Sequence, residues 1–492
     1  MLEAAETRSK LPKSEYAAQL PILRTDLVNA QYDLRVAGRS VIVIIAGDDR
    51  LGALELYNLF HEWMDVRSLA SRAWGPPEHG EESFPPFWRY WRALPPEGHV
   101  GIWLGGWLQS RLRLRVEDEI GDAELRASLE RHRRFEATLA GEGVRVLKIW
   151  VHLSEREHVK RLEKANKHKN KGEWRLDEED WRICDDWEAV VPVAEEILSR
   201  TGSEAAPWLL VGGGNERHRN MTAGRAVLAA MQATVADAAV GTTSVSVPEP
   251  ASPSATNPLD ALDLSTELPY EEYQERRDEL QRELFELMER VTRKALRPVL
   301  VFEGWDAAGK GGVIRRITKA IDARDYRVTR VRAPTPEEGR YPYLWRFWRS
   351  LTPVGRMAIF DRSWYGRVLV ERVEGLASEA EWRRAYDEIN DFEAQLVEAD
   401  SVLLKFFLHV DPDEQLSRFR ARERTPYKKY KISEDDYRNR EKRDDYREAV
   451  GDMVDRSHTK DALWRLVAAN DKRWARVAVL ETVCDALRRA AK

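Results

Sequence analysis

Hydrophobic positions in the chain form short, nearly continuous runs that alternate with longer stretches of helical periodicity. Residues 280–291 carry apolar side chains three or four positions apart with Glu and Arg between them, which predicts an amphipathic helix. Pro298 ends this helix, and the apolar run 299–302 predicts a buried strand. Similar runs are 357–360, 402–408 and 466–468. Buried strands separated by helices predict an α/β fold with a parallel sheet between helices.

This pattern occurs twice along the chain. Residues 88–94 read WRYWRAL and return as WRFWRSL at 345–351, an offset of 257 residues. A Leu-Pro pair at 11–12 returns at 268–269, with the same offset. Matching offsets over such a distance indicate a tandem duplication whose period is a whole domain.

The stretch between the two copies, residues 232–262, consists mainly of Ala, Ser, Thr, Val and Pro, and it contains no Lys or Arg. A segment of this composition cannot bury enough apolar surface to order itself, and prolines keep it extended. We therefore predict a flexible linker between two domains, residues 1–231 and 263–492.

A glycine-rich segment follows the predicted strand 299–302 and precedes a helical run. It reads GWDAAGKGG and fits G-x-x-x-x-G-K, the phosphate-binding loop (P-loop, Walker A) that joins a strand to a helix. Backbone amides and the lysine ammonium hold phosphate oxygens in such loops. The predicted phosphate-binding residues are Gly304, Ala307, Ala308, Gly309, Lys310, Gly311 and Gly312. The alternative is a glycine-rich turn with a solvent-exposed lysine, which the strand and helix around it disfavour.

Candidate metal ligands lie in this loop and at the end of a second strand. Gly311 stands where a Ser or Thr hydroxyl usually binds magnesium, so a carboxylate such as Asp306 would have to replace it. The strand 357–360 places Asp361 at its carboxyl end, where ligands bind in open α/β sheets. Arg362 and Arg367 follow and could clamp a phosphate group. For Asp361 and Arg362 alone, a surface ion pair is the alternative.

A basic segment, residues 418–447, contains twelve Lys or Arg against seven Asp or Glu. One interpretation is a solvated helix face, the usual meaning of such a run. The other is a helical lid that closes over phosphates, with Arg420 and Arg424 binding them. Composition does not decide between the two.

The first copy serves as an internal control, because it lacks most of these groups. In our alignment Lys310 falls opposite Gly52, whereas Asp306 still meets Asp48. The Asp361-Arg362-Ser363 segment becomes residues 104–106, Leu-Gly-Gly. We therefore predict that the first domain is degenerate and inactive.

Composition excludes several other classes of protein. The 492 residues are 43% hydrophobic and 33% charged, which is wrong for a disordered chain or a membrane bundle. Two cysteines give neither a disulfide framework nor a zinc site, and a net charge of −5 argues against a generally basic nucleic-acid surface. No secretory signal or membrane span is visible, so we expect a cytoplasmic protein without nucleic-acid or membrane partners.

The segments GWDAAGKGG and DRSWY, together with Trp464, Asn470 and Arg476 near the end, resemble the polyphosphate kinase type 2 family. The tandem arrangement with a degenerate first half is similar to its class II members, the polyphosphate:AMP phosphotransferases. The resemblance covers nearly the whole chain apart from the linker. It is most specific in the second copy.

This resemblance implies two P-loop kinase-like domains and the transfer of a terminal phosphoryl group from inorganic polyphosphate to AMP, giving ADP. From the residues we assign Asp306 and Asp361 to Mg²⁺, with Mn²⁺ as an alternative cofactor, although Asp306 could instead orient the acceptor phosphate. Lys310 would hold the donor, Arg362 would stabilise the moving phosphoryl group, and Arg362 and Arg367 would contact the nucleotide. Single-domain relatives associate, so a homodimer is expected.

Two alternatives remain open from the sequence. An ATP-dependent nucleoside monophosphate kinase on the same fold would have an adenine pocket at the donor site. A non-catalytic polyanion-binding protein would have two inactive copies, which the intact second-copy loop and Asp361 disfavour.

Overall fold

The computed structural model describes residues 1–6, 10–167, 187–240, 257–426 and 434–492. The chain divides into two compact units. The first comprises Met1–Glu78, Arg92–Ser246 and Pro336–Tyr343, and the second His79–Trp91, Val247–Thr335 and Leu344–Lys492. A short segment of each sequence repeat thus belongs to the unit formed mainly by the other repeat.

The first repeat contains five strands and eight α-helices among its described residues. In chain order they are α1 (Lys13–Val36), β1 (Ser40–Gly47), α2 (Arg50–Trp63), β2 (Leu69–Ala73), α3 (Trp88–Ala93), β3 (Val100–Leu104), α4 (Gln109–Val116), α5 (Asp122–Gly141), β4 (Val144–His152), α6 (Glu155–Lys167), α7 (Trp187–Thr201), β5 (Trp208–Gly212) and α8 (Glu216–Val240). The strands form one parallel sheet in the order β2-β3-β1-β4-β5.

The second repeat follows the same succession of strands. Its elements are α9 (Tyr270–Arg293), β6 (Arg297–Gly304), α10 (Lys310–Thr318), β7 (Tyr326–Arg330), α11 (Trp345–Ser350), β8 (Met357–Asp361), α12 (Val370–Val373), α13 (Glu379–Glu398), β9 (Ser401–His409), α14 (Pro412–Glu423), α15 (Glu434–Glu441), α16 (Arg443–Ser457), β10 (Trp464–Ala468) and α17 (Lys472–Ala490). The parallel sheet has the order β7-β8-β6-β9-β10, equivalent to that of the first repeat.

The α/β architecture predicted from the sequence is confirmed in both repeats. β1 is buried along its whole length and β6 along nearly all of it, as expected for the middle strand of a sheet with helices on both faces. In the described part of the chain, no helix combines the length and apolarity needed to cross a lipid bilayer.

The structure shifts one end of the predicted linker. α8 continues to Val240, so residues 232–240, which we assigned to the linker, are helical. Residues 241–256 lie outside the described part of the chain. Beyond them Pro258–Ala261 forms a 3₁₀ helix whose N-cap is Asn257, so the end of the predicted linker is also structured.

Candidate active site

The glycine-rich loop, residues 304–312, joins the central strand β6 to α10. Gly304 ends the strand at φ 139°, where a Cβ would collide with the carbonyl oxygen of Leu408, so only glycine fits. Gly309, at φ 116°, is the N-cap of α10, and Ala307 also has a positive φ of 61°. The loop therefore turns sharply and directs the free amides at the start of a helix toward the carboxyl edge of the sheet.

A buried arginine of α14 holds this loop in place. Arg418 is 4% exposed. It donates hydrogen bonds to four backbone carbonyl oxygens, those of Ala307 (3.0 Å), Ala308 (2.8 Å), Ala469 (2.6 Å) and Asn470 (2.8 Å). Our sequence analysis counted Arg418 only as one charge of the basic segment and missed this role. The apolar Phe419 beside it was the available signal, since it marks the buried face of the helix.

Lys310 opens α10 and folds back onto the loop. Its Nζ donates to the carbonyl oxygens of Gly304 (2.5 Å) and Trp305 (3.1 Å). Burial lowers the pKa of Lys310, while the nearby carboxylates of Asp306 and Asp361 act in the opposite direction. The ammonium group is thus placed where it can exchange these carbonyl contacts for phosphate oxygens.

Asp306 is held at both carboxylate oxygens. Oδ1 accepts a hydrogen bond from Nη2 of Arg362 (2.9 Å), and Oδ2 accepts one from Nδ2 of Asn439 (3.0 Å). Its backbone oxygen accepts a third from Gln415 (3.1 Å). Burial acts to raise the pKa of Asp306, but the positive charges of Lys310 and Arg362 outweigh it and keep the pKa below its usual value. Asn439 and Gln415 were missed by the sequence analysis, and no local pattern marks either.

Asp361 and Arg362 reach the same place from β8. Asp361 is the last residue of that strand and pairs with Phe302 of β6. Arg362 adopts φ 63° and donates its backbone amide to Phe302 (3.0 Å). The charge of Asp361 acts on the pKa of both Lys310 and Arg362, so the four predicted catalytic residues form one electrostatic cluster. A positive φ at a non-glycine residue is a strained conformation of the kind found at functional sites.

Buried hydrogen bonds fix the segment that follows Arg362. The hydroxyl of Ser363 donates to Glu303 (2.8 Å), whose pKa is raised by burial. The indole of Trp364 and the hydroxyl of Tyr365 both donate to one oxygen of Glu393 (2.9 and 2.7 Å). These hydrogen bonds hold the backbone of residues 363–365, which directly follow Asp361 and Arg362, against the sheet and α13.

A cavity of about 300 Å³ lies beside the loop and the first turn of α10. Four cationic side chains and several small residues line it. The lining residues are Ala307, Ala308, Gly309, Gly312, Val313, Arg418, Ala421, Arg422, Thr425, Lys472, Ala475 and Arg476. Burial lowers the pKa of Lys472 and of Arg476, although the side chain of Lys472 is still 50% exposed. A cationic cavity at a helix N-terminus is suited to a phosphate-containing anion.

The arginines of α14 are arranged differently from our expectation. Arg418 and Arg422, one helical turn apart, line the cavity. Arg420 of this helix and Arg424, its C-cap residue, are exposed and do not line the cavity. Phosphate binding by Arg420 and Arg424 stays a prediction.

Arg367 occupies the 3₁₀ helix Trp364–Val368. Its guanidinium pairs with Glu371 (2.8 Å) and lies 3.7 Å from Glu381. The 2.8 Å pair with Glu371 uses Nε of Arg367, and contact between Arg367 and a nucleotide stays a prediction.

Asp306 and Asp361 are the carboxylates that could hold a divalent cation beside the loop. In the described ranges, no group of three or more His, Cys, Asp or Glu is arranged to bind a metal ion on its own. Mg²⁺ is commonly bound by one or two carboxylates together with substrate phosphates and water, so the two aspartates have the chemistry that such a site would need.

The basic segment contacts the loop from α15 and α16. Asn439 of α15 binds Asp306, as described above. Arg443 of α16 lies over the ring of Trp305 (4.2 Å to the centroid) and donates to Gln415 (2.8 Å). Residues 427–433 of this segment lie outside the described part of the chain, and the closing motion of a lid stays a prediction.

The ends of the two central strands show that our sequence alignment of the loops in the two repeats was wrong by one residue. Gly47 and Gly304 both end the central strand with a large positive φ, 145° and 139°. Asp306 therefore corresponds to Asp49, and Asp48 takes the place of Trp305. The earlier alignment was one residue out because a second aspartate adjoins the first. By the same correspondence Lys310 is replaced by an alanine, so the loss of the loop lysine stands.

Comparison with known proteins identifies similar chains. The sequence model of the family described as Polyphosphate kinase 2 matches residues 10–238 and again residues 267–492. A protein of Pseudomonas syringae pv. tomato named polyphosphate:AMP phosphotransferase is 44% identical over 492 residues, covering 100% of this chain and 99% of the relative. One of the same name from Pseudomonas aeruginosa is also 44% identical, with the same coverage.

Solved structures agree with this similarity. A crystal structure of a protein assigned to polyphosphate kinase 2, from Pseudomonas aeruginosa, superposes with a TM-score of 0.90 at 42% sequence identity. The match covers 100% of this chain and 99% of that one, so both repeats and their order are shared.

Proposed function

The chain belongs to the polyphosphate kinase 2 family, and on that premise we propose that it is an enzyme that transfers the terminal phosphoryl group of inorganic polyphosphate to AMP, giving ADP. The full-length relatives named polyphosphate:AMP phosphotransferase support this activity. One observation supports the C-terminal repeat as the catalytic one. The charged cluster of Asp306, Lys310, Asp361 and Arg362 stands beside a cationic cavity at the start of α10.

The donor binds in the cavity and against the loop. Arg422, Lys472 and Arg476 face the polyphosphate chain, whose charge they neutralise. The loop amides and Lys310 hold its terminal groups. The small residues along the wall leave room for a chain of phosphates, and among the described residues that line the cavity none is an aromatic on which an adenine could stack, which favours polyphosphate over ATP as donor.

The reaction needs little acid–base chemistry from the protein. The phosphate of AMP is largely dianionic at neutral pH, since the second pKa of such a group is near 6. One of its oxygens forms a bond to the terminal phosphorus while the bridging bond to the chain breaks, and the chain leaves one phosphate shorter. Arg362 neutralises charge on the phosphoryl group in flight, and Arg362 and Arg367 orient the acceptor.

We assign Mg²⁺, with Mn²⁺ as an alternative, to Asp306 and Asp361. The ion supplies charge neutralisation on the transferred group when it is bound. Asp306 exchanges its contact with Arg362 or Asn439 for this role, and the low pKa of Asp306 keeps the carboxylate ionised at neutral pH.

The first experiment measures ADP formation from AMP, long-chain polyphosphate and magnesium, with ATP excluded. We expect robust turnover by the wild type and a loss on the order of 10²–10³ in kcat for Lys310→Ala, because a preorganised charge contact is removed. Lys319→Ala, an exposed lysine just beyond the end of α10, is the matched control and should keep wild-type activity.

Near-normal turnover of Lys310→Ala would contradict the assignment of the loop. Activity that appears only when ATP replaces polyphosphate would instead identify a nucleoside monophosphate kinase. Absence of any magnesium-dependent transfer would favour a polyanion-binding protein. Homodimerisation and a cytoplasmic location, without nucleic-acid or membrane partners, complete the proposal, and sedimentation of the purified chain tests the first of these.

A further inference from the structure

The first unit contains a group of paired charged side chains, from the exposed Glu55 to the buried Arg219, where the second has its cationic cavity. Arg161 corresponds to Arg418, because both follow the equivalent strand ends His152 and His409 by the same number of residues. Because Arg418 lines the cavity of the second unit, the surroundings of Arg161 are the equivalent region of the first unit.

Two substitutions fill that place. Glu55 corresponds to Gly312, since each follows its strand-ending glycine by the same number of residues. Arg219 corresponds to Ala475, since each follows the N-cap residue of the last helix of its repeat by the same number. Gly312 and Ala475 both line the cavity of the second unit. The first unit thus has a carboxylate and a guanidinium at the two positions where the second unit has small residues.

Glu55 lies between the two arginines. Its Oε2 accepts from Nη2 of Arg161 (2.6 Å) and from Nη1 of Arg219 (2.7 Å). The Arg219 side chain is 1% exposed. Asp49 accepts from Arg161 (2.9 Å) and from the amide of Gly52 in the first turn of α2 (2.9 Å).

One oxygen held by two guanidinium groups beside a helix N-terminus is the arrangement with which proteins bind a phosphate oxygen. Two arginines and two carboxylates balance each other, so the group is neutral as it stands. Without Glu55, the half-buried Arg161 and the buried Arg219 would face Asp49 alone and carry one uncompensated positive charge. We propose that the first repeat retains a phosphoanion site and that Glu55 occupies it as a built-in substitute for the ligand.

Neighbouring groups support a ligand site over a simple ion pair at the surface. His158 is 3% exposed, and its Nδ1 has no hydrogen-bond partner among the described residues. The charges of Asp49 and Arg161 act on this imidazole, whose pKa burial lowers, so it stands against the same group. Arg161 and Arg219 hold Glu55 strongly enough to keep its pKa low although burial opposes this.

The test uses the full-length chain and inorganic pyrophosphate as the probe. Hydrogen exchange locates the ligand, and calorimetry counts the sites. We expect pyrophosphate to leave residues 50–63 of the wild type unchanged and to slow their exchange in Glu55→Ala, with one additional site in the titration. Glu62→Ala removes an exposed carboxylate from the same helix and should behave as the wild type.

Loss of Glu55 leaves the buried Arg219 without its hydrogen-bonded carboxylate, so Glu55→Ala should melt at a lower temperature and regain stability with pyrophosphate. Glu55→Gln retains an acceptor for both arginines and provides a better-folded variant with weaker binding. Glu55→Ala/Arg219→Ala should lose the additional site. The proposal is overturned if neither single variant gains protection in residues 50–63. This readout lies in the first repeat, so it is independent of whether the second repeat transfers phosphate.

Discussion

Asp306 is the residue whose surroundings say most about the chemistry of the site. One of its carboxylate oxygens is held by Arg362, which the sequence placed nearby, and the other by Asn439, which it did not. Loop and strand-end residues could be predicted because short local segments fix where they point. Asn439 arrives from a helix far along the chain, and only the tertiary fold brings it to Asp306.

This contact predicts the effect of changing Asn439. A hydrogen bond to a charged group contributes about 1.5–3 kcal/mol, so Asn439→Ala should lower kcat by roughly one to two orders of magnitude if the contact positions Asp306 in the transition state. Asn439→Asp puts a like charge beside Asp306 and should raise the pKa of Asp306. The acidic limb of its pH–rate profile should then move to higher pH.

Initial rates as a function of pH, with AMP and polyphosphate varied separately, measure both effects. Glu441→Ala, at an exposed position of the same helix, is the control and should leave the profile unchanged. A profile of Asn439→Asp that coincides with the wild type would show that Asn439 does not act on Asp306.

At the scale of elements, α14 shows that a count of charged residues can identify a basic helix but not the face of it that lines a cavity. The excess of basic residues drew attention to the segment that includes this helix, but a count of charges does not show which way each side chain points. The buried Gln415, Arg418 and Phe419 define the inner face, and Arg422 continues that face to the cavity. Helical periodicity applied to Phe419 would have separated Arg422 from Arg420 and Arg424.

The two faces of α14 predict unequal effects on polyphosphate binding. Arg422→Ala removes a charge that lines the cavity, and we expect the KM for polyphosphate to rise roughly tenfold or more, in line with a lost charge-assisted contact. Arg424→Ala removes an exposed charge that salt screens, so its effect should be small and should vanish at high ionic strength. Steady-state rates at low and high salt compare the two variants, and a larger effect for Arg424 would restore our original assignment.

At the scale of the whole molecule, the duplication and a parallel sheet between helices in each copy could be predicted, because repeated motifs and buried strands are local signals. The division into units could not. Residues 79–91 belong to the first repeat in sequence but to the second unit in space. A domain boundary drawn from composition divides the chain at one position, so it cannot show that a segment of one repeat packs in the unit formed by the other.

Contacts within the second unit show what residues 79–91 contribute. The guanidinium of Arg297, 1% exposed at the start of β6, donates to the carbonyl oxygen of Ser83 (2.5 Å). The same oxygen accepts the amide of Val354 (3.1 Å), and Trp91 stacks on Trp348 with ring centroids 6.0 Å apart. A chain limited to residues 263–492 would leave Arg297 with one acceptor fewer and would uncover both its guanidinium and the face of Trp348.

We therefore expect residues 263–492 alone to be poorly soluble, or to melt well below the full chain, and to lose most of the transfer activity. An unsatisfied buried polar group costs about 1–3 kcal/mol and a charged one more, a large part of the stability of an ordinary domain. A full-length chain with a protease site placed within residues 241–256 is the control. After cleavage it still contains residues 79–91, so its melting temperature and activity should stay near those of the uncut protein. A soluble and fully active 263–492 fragment would show that the second unit does not need this segment.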